Sequence, residues 1–233
     1  MKKQCSTLAV LAALSAPAYA VDFSVSVTNL TNGVYFTPLL VAAHTSDASL
    51  FTTGEAASTS LQEMAEGGSI ASLVTDLDGI DATVVENPAA GLLGPGESTM
   101  ANLNTDDAAD NTQLSIVAMM LPTNDGFIGL NSIDIPTEPG TYTFNVNAYD
   151  AGTEANDEIR GSGAPGEAGF PAPGPVDASA GMNGTGTGAA VEGFVHIHRG
   201  VLGDSDATGG VSDIVSSVHR WLNPVARVTI TVN

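Results

Sequence analysis

The sequence predicts an all-β fold, an antiparallel β-sandwich, from three observations. Glycine, proline and β-branched residues are frequent, while aromatic residues make up only 5% of the chain. Several segments alternate apolar and polar residues with the period of two that is typical of half-buried strands. Turn signals such as Thr-Asn-Gly, Asn-Asp-Gly and Glu-Pro-Gly separate these segments. Together these features favour two layers of sheet packed around one core.

The first predicted strand shows the alternation most clearly. The segment VDFSVSVTN places Phe23, Val25 and Val27 on one face and hydroxyl side chains on the other. The predicted strands that follow it, in chain order, are 34–44, 81–86, 112–121, 126–135, 140–149, 191–198 and 224–232. The last two of these complete the same pair of sheets, so we expect residues 21–233 to form a single domain.

One segment departs from the strand pattern towards a helical one. Between residues 55 and 77, Ala57, Leu61, Met64 and Ala65 recur at helical spacing, and a glycine pair follows them. We therefore predict a short helical insertion at about 55–77 in the otherwise all-β chain.

A long loop is predicted at about 155–190. Gly, Pro and Ala dominate this segment, and the large apolar side chains between Gly161 and Gly188 are few. So little apolar surface cannot offset the entropy that is lost when the chain is ordered. The segment, called the excursion below, is therefore expected to be an irregular loop and not a further domain.

The first twenty residues are typical of a secretory signal peptide. Two lysines precede an apolar stretch from Leu8 to Leu14, and Ala18-Tyr19-Ala20 forms an A-x-A cleavage site. The apolar stretch is too short to span a bilayer, and no later segment is long enough either. We predict cleavage near Ala20 and a secreted location, either periplasmic or extracellular.

Removal of this segment makes the chain more acidic. Both lysines and Cys5, the one cysteine, are lost, and four arginines then oppose 26 Asp and Glu, a formal net charge of −22. Such a surface repels nucleic acid and anionic lipid, so neither is expected as a partner. Because disulfides are excluded, stability must come from the apolar core, from bound cations, or from both.

The segment NAYDAGTEANDE, residues 147–158, concentrates negative charge directly after a predicted strand. Its acidic side chains are Asp150, Glu154, Asp157 and Glu158. The first two flank a Gly-Thr turn that can direct both carboxylates towards one point. Calcium takes about six to eight oxygen ligands, often from such loops. A calcium site is therefore one interpretation, and a solvated acidic turn is the other.

Three stretches carry a family resemblance when they are read together. They are AAHTSDASLFTTGEAASTSLQEMAEGG, MMLPTNDGFIGLNSIDI, and AYDAGTE followed far downstream by NPVARVTI. In this order they resemble the spondin N-terminal domain, which is found in F-spondin, mindin and many exported bacterial proteins. The resemblance extends from about Val25 to Thr231.

The resemblance implies a β-sandwich with a calcium ion held by loops at one end. It also implies an adhesion or recognition protein, not an enzyme, with an extracellular glycan or protein as partner. The family's calcium carboxylates correspond here to Asp125, Asp150 and Glu154. The sequence departs from the animal pattern, since Glu154 replaces an aspartate, Gly126 replaces an aromatic residue, and the animal cysteines are missing.

A second calcium loop is suggested by DSDATGG, which begins at Asp204. Asp204 and Asp206 occupy the first and third positions of an EF-hand loop, and a glycine occupies the sixth. Val215 stands where the bidentate glutamate is expected. The segment is therefore interpreted either as a second calcium site or as a solvated turn.

The segment HIHRG supports a different kind of metal site. On a strand, His196 and His198 project from the same face, and two imidazoles so placed can bind zinc or copper. His44 or His219 could add a third ligand, but no spacing fixes one. A hydrogen-bonded pair of structural histidines is the alternative.

The leading hypothesis from the sequence is an exported, non-enzymatic calcium-binding domain that acts in adhesion, extracellular matrix or surface recognition. One alternative is a zinc- or copper-binding protein or metalloenzyme built on the histidine pair. The other is a structural subunit of an extracellular assembly, in which the excursion engages a neighbouring copy.

Overall fold

Ten strands and four short helices make up the regular structure of residues 21–233, the part of the chain that the computed structural model describes. The predicted signal peptide, residues 1–20, lies outside the described residues. The strands are β1 (Asp22–Asn29), β2 (Tyr35–Phe36), β3 (Leu40–His44), β4 (Thr83–Glu86), β5 (Ser98–Asn104), β6 (Gln113–Leu121), β7 (Gly126–Asp134), β8 (Gly140–Asp150), β9 (His196–Ile197) and β10 (Ala226–Val232). The helices are α1 (Thr59–Gly67), α2 (Ala71–Asp78), α3 (Gly174–Asp177) and α4 (Ser216–His219).

All the strands belong to one antiparallel sheet. Its order is β4-β3-β6-β7-β8-β10-β1-β5, with β2 beside β6 and β9 beside β8. The two ends of the sheet come into contact because β4 meets β5. The sheet therefore curls into a nearly closed, sandwich-like barrel, which confirms the predicted all-β antiparallel fold.

The interior of the barrel holds the larger apolar core. Phe23, Val25 and Val27 of β1 are buried there, as the alternation in the sequence predicts. Burying a side chain of this size stabilises the fold by about 1.5–3 kcal/mol. The period-two pattern of β1 thus corresponds to the inner face of the barrel.

A second apolar core lies on the outer face of the sheet, beneath the helical insertion. Strand β6 contributes to both cores, with Ile116 facing the inner one and Val117 and Met119 facing the outer one. Leu61 of α1 packs into the outer core. The predicted insertion is confirmed, and it consists of two helices, α1 and α2. Within residues 21–233, no helix is long and apolar enough to cross a membrane.

Three strands differ from the predicted ones. The segment 34–44 is divided into β2 and β3 around Pro38, which has no N–H to donate to a ladder. The segment 191–198 contributes only the two residues of β9. Strand β5 was not predicted, because Ala101 and Leu103 are its only buried residues and leave little apolar signal.

The excursion is irregular, as predicted, but it is packed against the rest of the protein. Phe170 and Val176 are fully buried. The guanidinium of Arg160 pairs with Asp177 and donates hydrogen bonds to backbone carbonyls, including that of Ala180. The expectation that this segment contains too little apolar surface to be ordered is therefore wrong. Hydrogen bonds to backbone groups contribute to the stability of the ordered excursion, in addition to its small apolar area.

Replacing Phe170 with alanine tests whether the excursion contributes to the stability of the whole protein. We expect Phe170→Ala to lower the free energy of unfolding by about 3–5 kcal/mol, because it leaves a cavity in a fully buried position. Met182→Ala is the matched control, since Met182 lies in the same segment and is half exposed. Its effect should stay within about 0.5 kcal/mol. Urea denaturation measures both, and equal small effects would show that the excursion is not part of the cooperative fold.

Candidate metal-binding site

The ends of three neighbouring strands meet at one corner of the sheet. Asp150, the last residue of β8, pairs with Gly126 of β7 on one side and with His196 of β9 on the other. Directly opposed residues of antiparallel strands project from the same face. The side chains of Asp150 and His196 therefore point into a common space. Asp125, the residue before β7, lies close enough to Asp150 for the charge of Asp150 to raise its pKa.

The buried carboxylate of Asp150 has a histidine beside each oxygen. Oδ1 lies 3.6 Å from Nε2 of His196, and Oδ2 lies 3.8 Å from Nε2 of His198. Oδ1 also accepts the backbone N–H of Gly152, and Oδ2 accepts the amide of Asn156. Neither Nε2 atom has a hydrogen-bond partner among the described residues. The structure thus brings the two histidines together around an aspartate that the family resemblance assigns to calcium.

The two imidazoles present opposite tautomers to Asp150. Nδ1 of His196 lies 3.0 Å from the carbonyl oxygen of Ile197, which can only accept, so Nδ1 carries a proton, and in the neutral ring Nε2 has the free lone pair. Nδ1 of His198 instead accepts the backbone N–H of Gly200, so its proton is on Nε2. Burial lowers the pKa of His198 to about 4, which keeps this ring neutral. His196 therefore offers a ligand atom, whereas His198 offers a donor.

Glu192 belongs to this site although the sequence analysis did not single it out. Its carboxylate, that of Asp150 and the imidazole of His196 offer ligand atoms that all lie within 4.8 Å of one another. Its Oε2 is buried and has no hydrogen-bond partner within residues 21–233. Glu192 has the same parity as His196 and His198 along the predicted strand, and this parity is the signal that could have found it.

The other two histidines of the chain make hydrogen bonds elsewhere. The ring of His44 contacts a backbone carbonyl through Nδ1 and the hydroxyl of Ser115 through Nε2. The ring of His219 accepts the N–H of Val215 and lies 3.2 Å from the hydroxyl of Ser179. Because both nitrogens of each ring are engaged, neither histidine supplies the third ligand considered from the sequence.

Asp125 is fully buried beside Asp150. Its Oδ2 accepts the backbone N–H groups of Thr153 and Glu154, at 2.8 and 3.1 Å, whereas Oδ1 has no partner in the described part of the chain. Burial raises the pKa of Asp125 to about 8, and the negative charge of Asp150 adds to the effect. A buried carboxylate beside a second one is stabilised in its charged form by a cation.

Glu154 directs its carboxylate towards a different set of groups. Oε1 accepts hydrogen bonds from the side-chain amide of Asn124 and the backbone N–H of Gly169. Oε2 is buried without a partner among residues 21–233, and burial raises the pKa of this carboxyl group. Neither Glu154 nor Asp125 belongs to the described group of ligand atoms that lie within 4.8 Å of one another around Asp150. Their role as calcium ligands stays a prediction.

Two glycines allow the chain to approach this corner closely. A Cβ on Gly126 would lie 2.9 Å from Cδ2 of His198, so only glycine lets that ring pack against β7. Gly152 has φ of +67°, and a Cβ there would lie 2.3 Å from the carbonyl oxygen of Phe194. Both contacts hold the segment that carries the histidines against the end of the sheet.

The predicted second calcium loop uses its carboxylates to bind its own backbone. Asp204 accepts the N–H groups of Ser212, Val211 and Asp206, and the hydrogen bonds from Ser212 and Val211 lower its pKa. Asp206 accepts the N–H and hydroxyl of Thr208. These contacts describe a hydrogen-bonded turn, and calcium binding by Asp204 and Asp206 stays a prediction.

A pocket of about 350 Å³ lies on the His198 side of Asp150. Arg199 and Arg220 line it together with Glu158. Beyond residue 20 the chain has no lysine and four arginines, so two of its four positive side chains meet at this pocket. Asp150 also lines the pocket, so two positive side chains and two carboxylates lie around it.

Comparison with known families supports the resemblance seen in the sequence. The family model described as Spondin_N matches residues 13–162. This span includes the three predicted calcium ligands and ends before Glu192 and the two neighbouring histidines. No curated protein matches the chain.

The raised pKa of Asp125 predicts how the free energy of unfolding depends on pH in the presence of a chelator. The folded protein keeps the Asp125 proton up to about pH 8, whereas the unfolded chain loses it near its ordinary pKa of 3.8. Between these values the folded state binds the extra proton, so this group lowers stability as pH rises, by up to about 1.4 kcal/mol per pH unit.

Chelator-treated wild type and Asp125→Asn should therefore differ in a pH-dependent way. Asparagine keeps the acceptor for the two backbone N–H groups and carries no charge. The free energy of unfolding of Asp125→Asn, relative to wild type, should rise between about pH 4 and pH 8. Urea denaturation at several pH values measures this difference, and a constant difference across the range would contradict the described environment of Asp125.

Proposed function

The chain belongs to the Spondin_N family, an extracellular domain family, and from this premise we propose that it is an exported, non-enzymatic recognition module. In this proposal a calcium ion orders the corner of the sheet where β7, β8 and β9 meet. The ordered corner then presents a surface to an extracellular glycan or protein, in adhesion or matrix recognition.

The observation that carries the proposal is the buried pair of carboxylates, Asp125 and Asp150. Nothing positively charged in the described structure lies against Asp125, whose Oδ1 atom is unpartnered. Carboxylate and backbone oxygens from loops are the donors that calcium prefers. Asp125 and Asp150 would hold the ion, and Glu154 would complete the set if Oε2 turned towards it. The donor set of this part of the corner therefore fits calcium.

Calcium would supply positive charge and fix the loops around it. The two aspartates hold the turn that follows β8. Asp150 holds the turn after β8 through the N–H of Gly152, and Asp125 holds the same turn through Thr153 and Glu154. With the carboxylate charges neutralised, this turn and the segment packed on it form a rigid end of the sheet.

An exposed apolar rim surrounds the same corner. Several large apolar side chains are exposed on the segment that carries the histidines. Another is exposed beside the tryptophan that packs on His198. Exposed apolar side chains close to charged groups are typical of recognition surfaces. The arginine-lined pocket next to Asp150 adds a place for an acidic group of the partner. The exposed residues are Val191, Phe194, Ile197, Leu202 and Leu222.

Calcium is expected to stabilise the wild-type protein and to stabilise Asp125→Asn much less. A ligand present at about one hundred times its Kd stabilises the folded state by about 2.7 kcal/mol. Thermal melting of untagged protein, in chelator and in calcium, measures the increment for each variant.

Asp22→Asn is the matched control for this experiment. Asp22 is exposed at the start of β1, at the opposite end of the sheet from Asp150, so its loss should leave the calcium increment unchanged. The proposed calcium site is wrong if wild type melts identically in calcium and in chelator, or if Asp22→Asn and Asp125→Asn lose the same increment.

A further inference from the structure

We propose that Asp150, Glu192 and His196 form a second metal centre, selective for a zinc-class ion, next to the calcium site. The two sites share only Asp150. Two of the three zinc ligands lie beyond the span that matches the family model.

The first support for this centre is convergence from separate parts of the chain. Asp150 ends β8, whereas Glu192 and His196 return to it after the whole excursion. Their ligand atoms nevertheless lie within 4.8 Å of one another. Two carboxylates and an imidazole are all recognised zinc ligands, and three of them leave a coordination position open for water or a ligand.

The second support is the direction of the His196 lone pair. Nδ1–H donates to the carbonyl oxygen of Ile197, so in the neutral ring the Nε2 lone pair lies 3.6 Å from Oδ1 of Asp150. A metal ion can lie between these two electron-rich atoms, in the position that a proton would otherwise take. Donation of the other ring N–H to a backbone carbonyl is also how metal-bound histidines are commonly oriented.

The third support is a buried donor aimed at the same carboxylate. The side chain of His198 is only 3% exposed, its Nε2 has no hydrogen-bond partner among the described residues, and this atom lies 3.8 Å from Oδ2 of Asp150. Because the proton of His198 is on Nε2, the ring acts on Asp150 and not on the metal. We therefore assign His198 as a positioning residue that directs Oδ1 towards His196.

The donor chemistry separates this centre from the calcium site. A nitrogen ligand favours zinc and other late divalent metals, whereas calcium is bound almost entirely by oxygen. The ion pair between Glu192 and Arg199 does not compete strongly with a metal. Its closest atoms are 3.7 Å apart, and the arginine side chain is 81% exposed, so the pair is screened by water.

The experiment measures zinc binding to untagged, chelator-treated protein by isothermal titration calorimetry and elemental analysis. Wild type should bind one zinc ion per chain at this centre. His196→Ala and Glu192→Gln should lose it, whereas Glu138→Gln, a matched carboxylate change at the other end of β8, should bind as wild type does. His198→Gln should keep the stoichiometry with about 10–100-fold weaker affinity.

Cobalt substitution gives an independent readout of ligand type. Wild type loaded with Co²⁺ should show visible ligand-field absorption that His196→Ala lacks. Circular dichroism and thermal melting in chelator verify that each variant is folded. Glu192→Gln keeps the shape of the side chain, so it tests the centre even if His196→Ala is unstable.

The outcomes distinguish this centre from the calcium site. Asp125→Asn should lose the calcium increment and keep zinc, whereas His196→Ala and Glu192→Gln should lose zinc and keep the calcium increment. Loss of zinc in Asp125→Asn alone would overturn the assignment of ligands. Absence of zinc binding in wild type, or unchanged binding in folded Glu192→Gln and His196→Ala, would overturn the centre itself while leaving the calcium proposal standing.

Discussion

The buried carboxylate of Asp150 is the interaction on which the functional end of this protein depends. It lies where β7, β8 and β9 come side by side, and it contacts the turn that follows its own strand. The strand pairing fixes its position, while the surrounding side chains fix its orientation. A buried carboxylate held in this way, next to the buried Asp125, is stabilised in its charged form by a nearby positive charge. In a chain with no lysine beyond residue 3, a metal ion is well suited to supply it.

The acidic turn after β8 also shows how this chain orders a long, glycine-rich segment. Several of its carboxylates accept backbone N–H groups from the excursion and the loops beyond it. Glu154 accepts the N–H of Gly169, and Glu158 accepts those of Leu202 and Gly203. Backbone amides thus take the place that lysine and arginine occupy in other proteins. The crowding of negative charge in the sequence therefore anchors loops, in addition to the cation binding that we propose.

The sequence predicts most strands well because a half-buried strand alternates apolar and polar residues. It predicts β5 poorly because Ala101 and Leu103 are the only buried residues of that strand. It predicts the ordered excursion poorly because hydrogen bonds between carboxylates and distant backbone amides produce no periodic pattern in the sequence. The same limit applies to the site. Asp125, Asp150 and the two histidines were found from residue type and resemblance, but their meeting depends on which strands are neighbours. Glu192 is one acidic residue among 26, and its parity with His196 and His198 is a weak signal until the neighbouring strands are known.

The excursion positions His196, because it returns the chain to the end of β8. Its 155–190 stretch leaves the end of β8 and delivers the chain back to the same strand, where β9 pairs with Tyr149 and Asp150. A metal ligand set tolerates errors of only about 0.5 Å, so an unanchored loop of this length could not place an imidazole reliably. The buried Phe170 and the carboxylate anchors reduce that freedom before any metal binds. The ordering of the loop by Glu154 and Glu158 is therefore a precondition for the metal binding that we propose at Asp150.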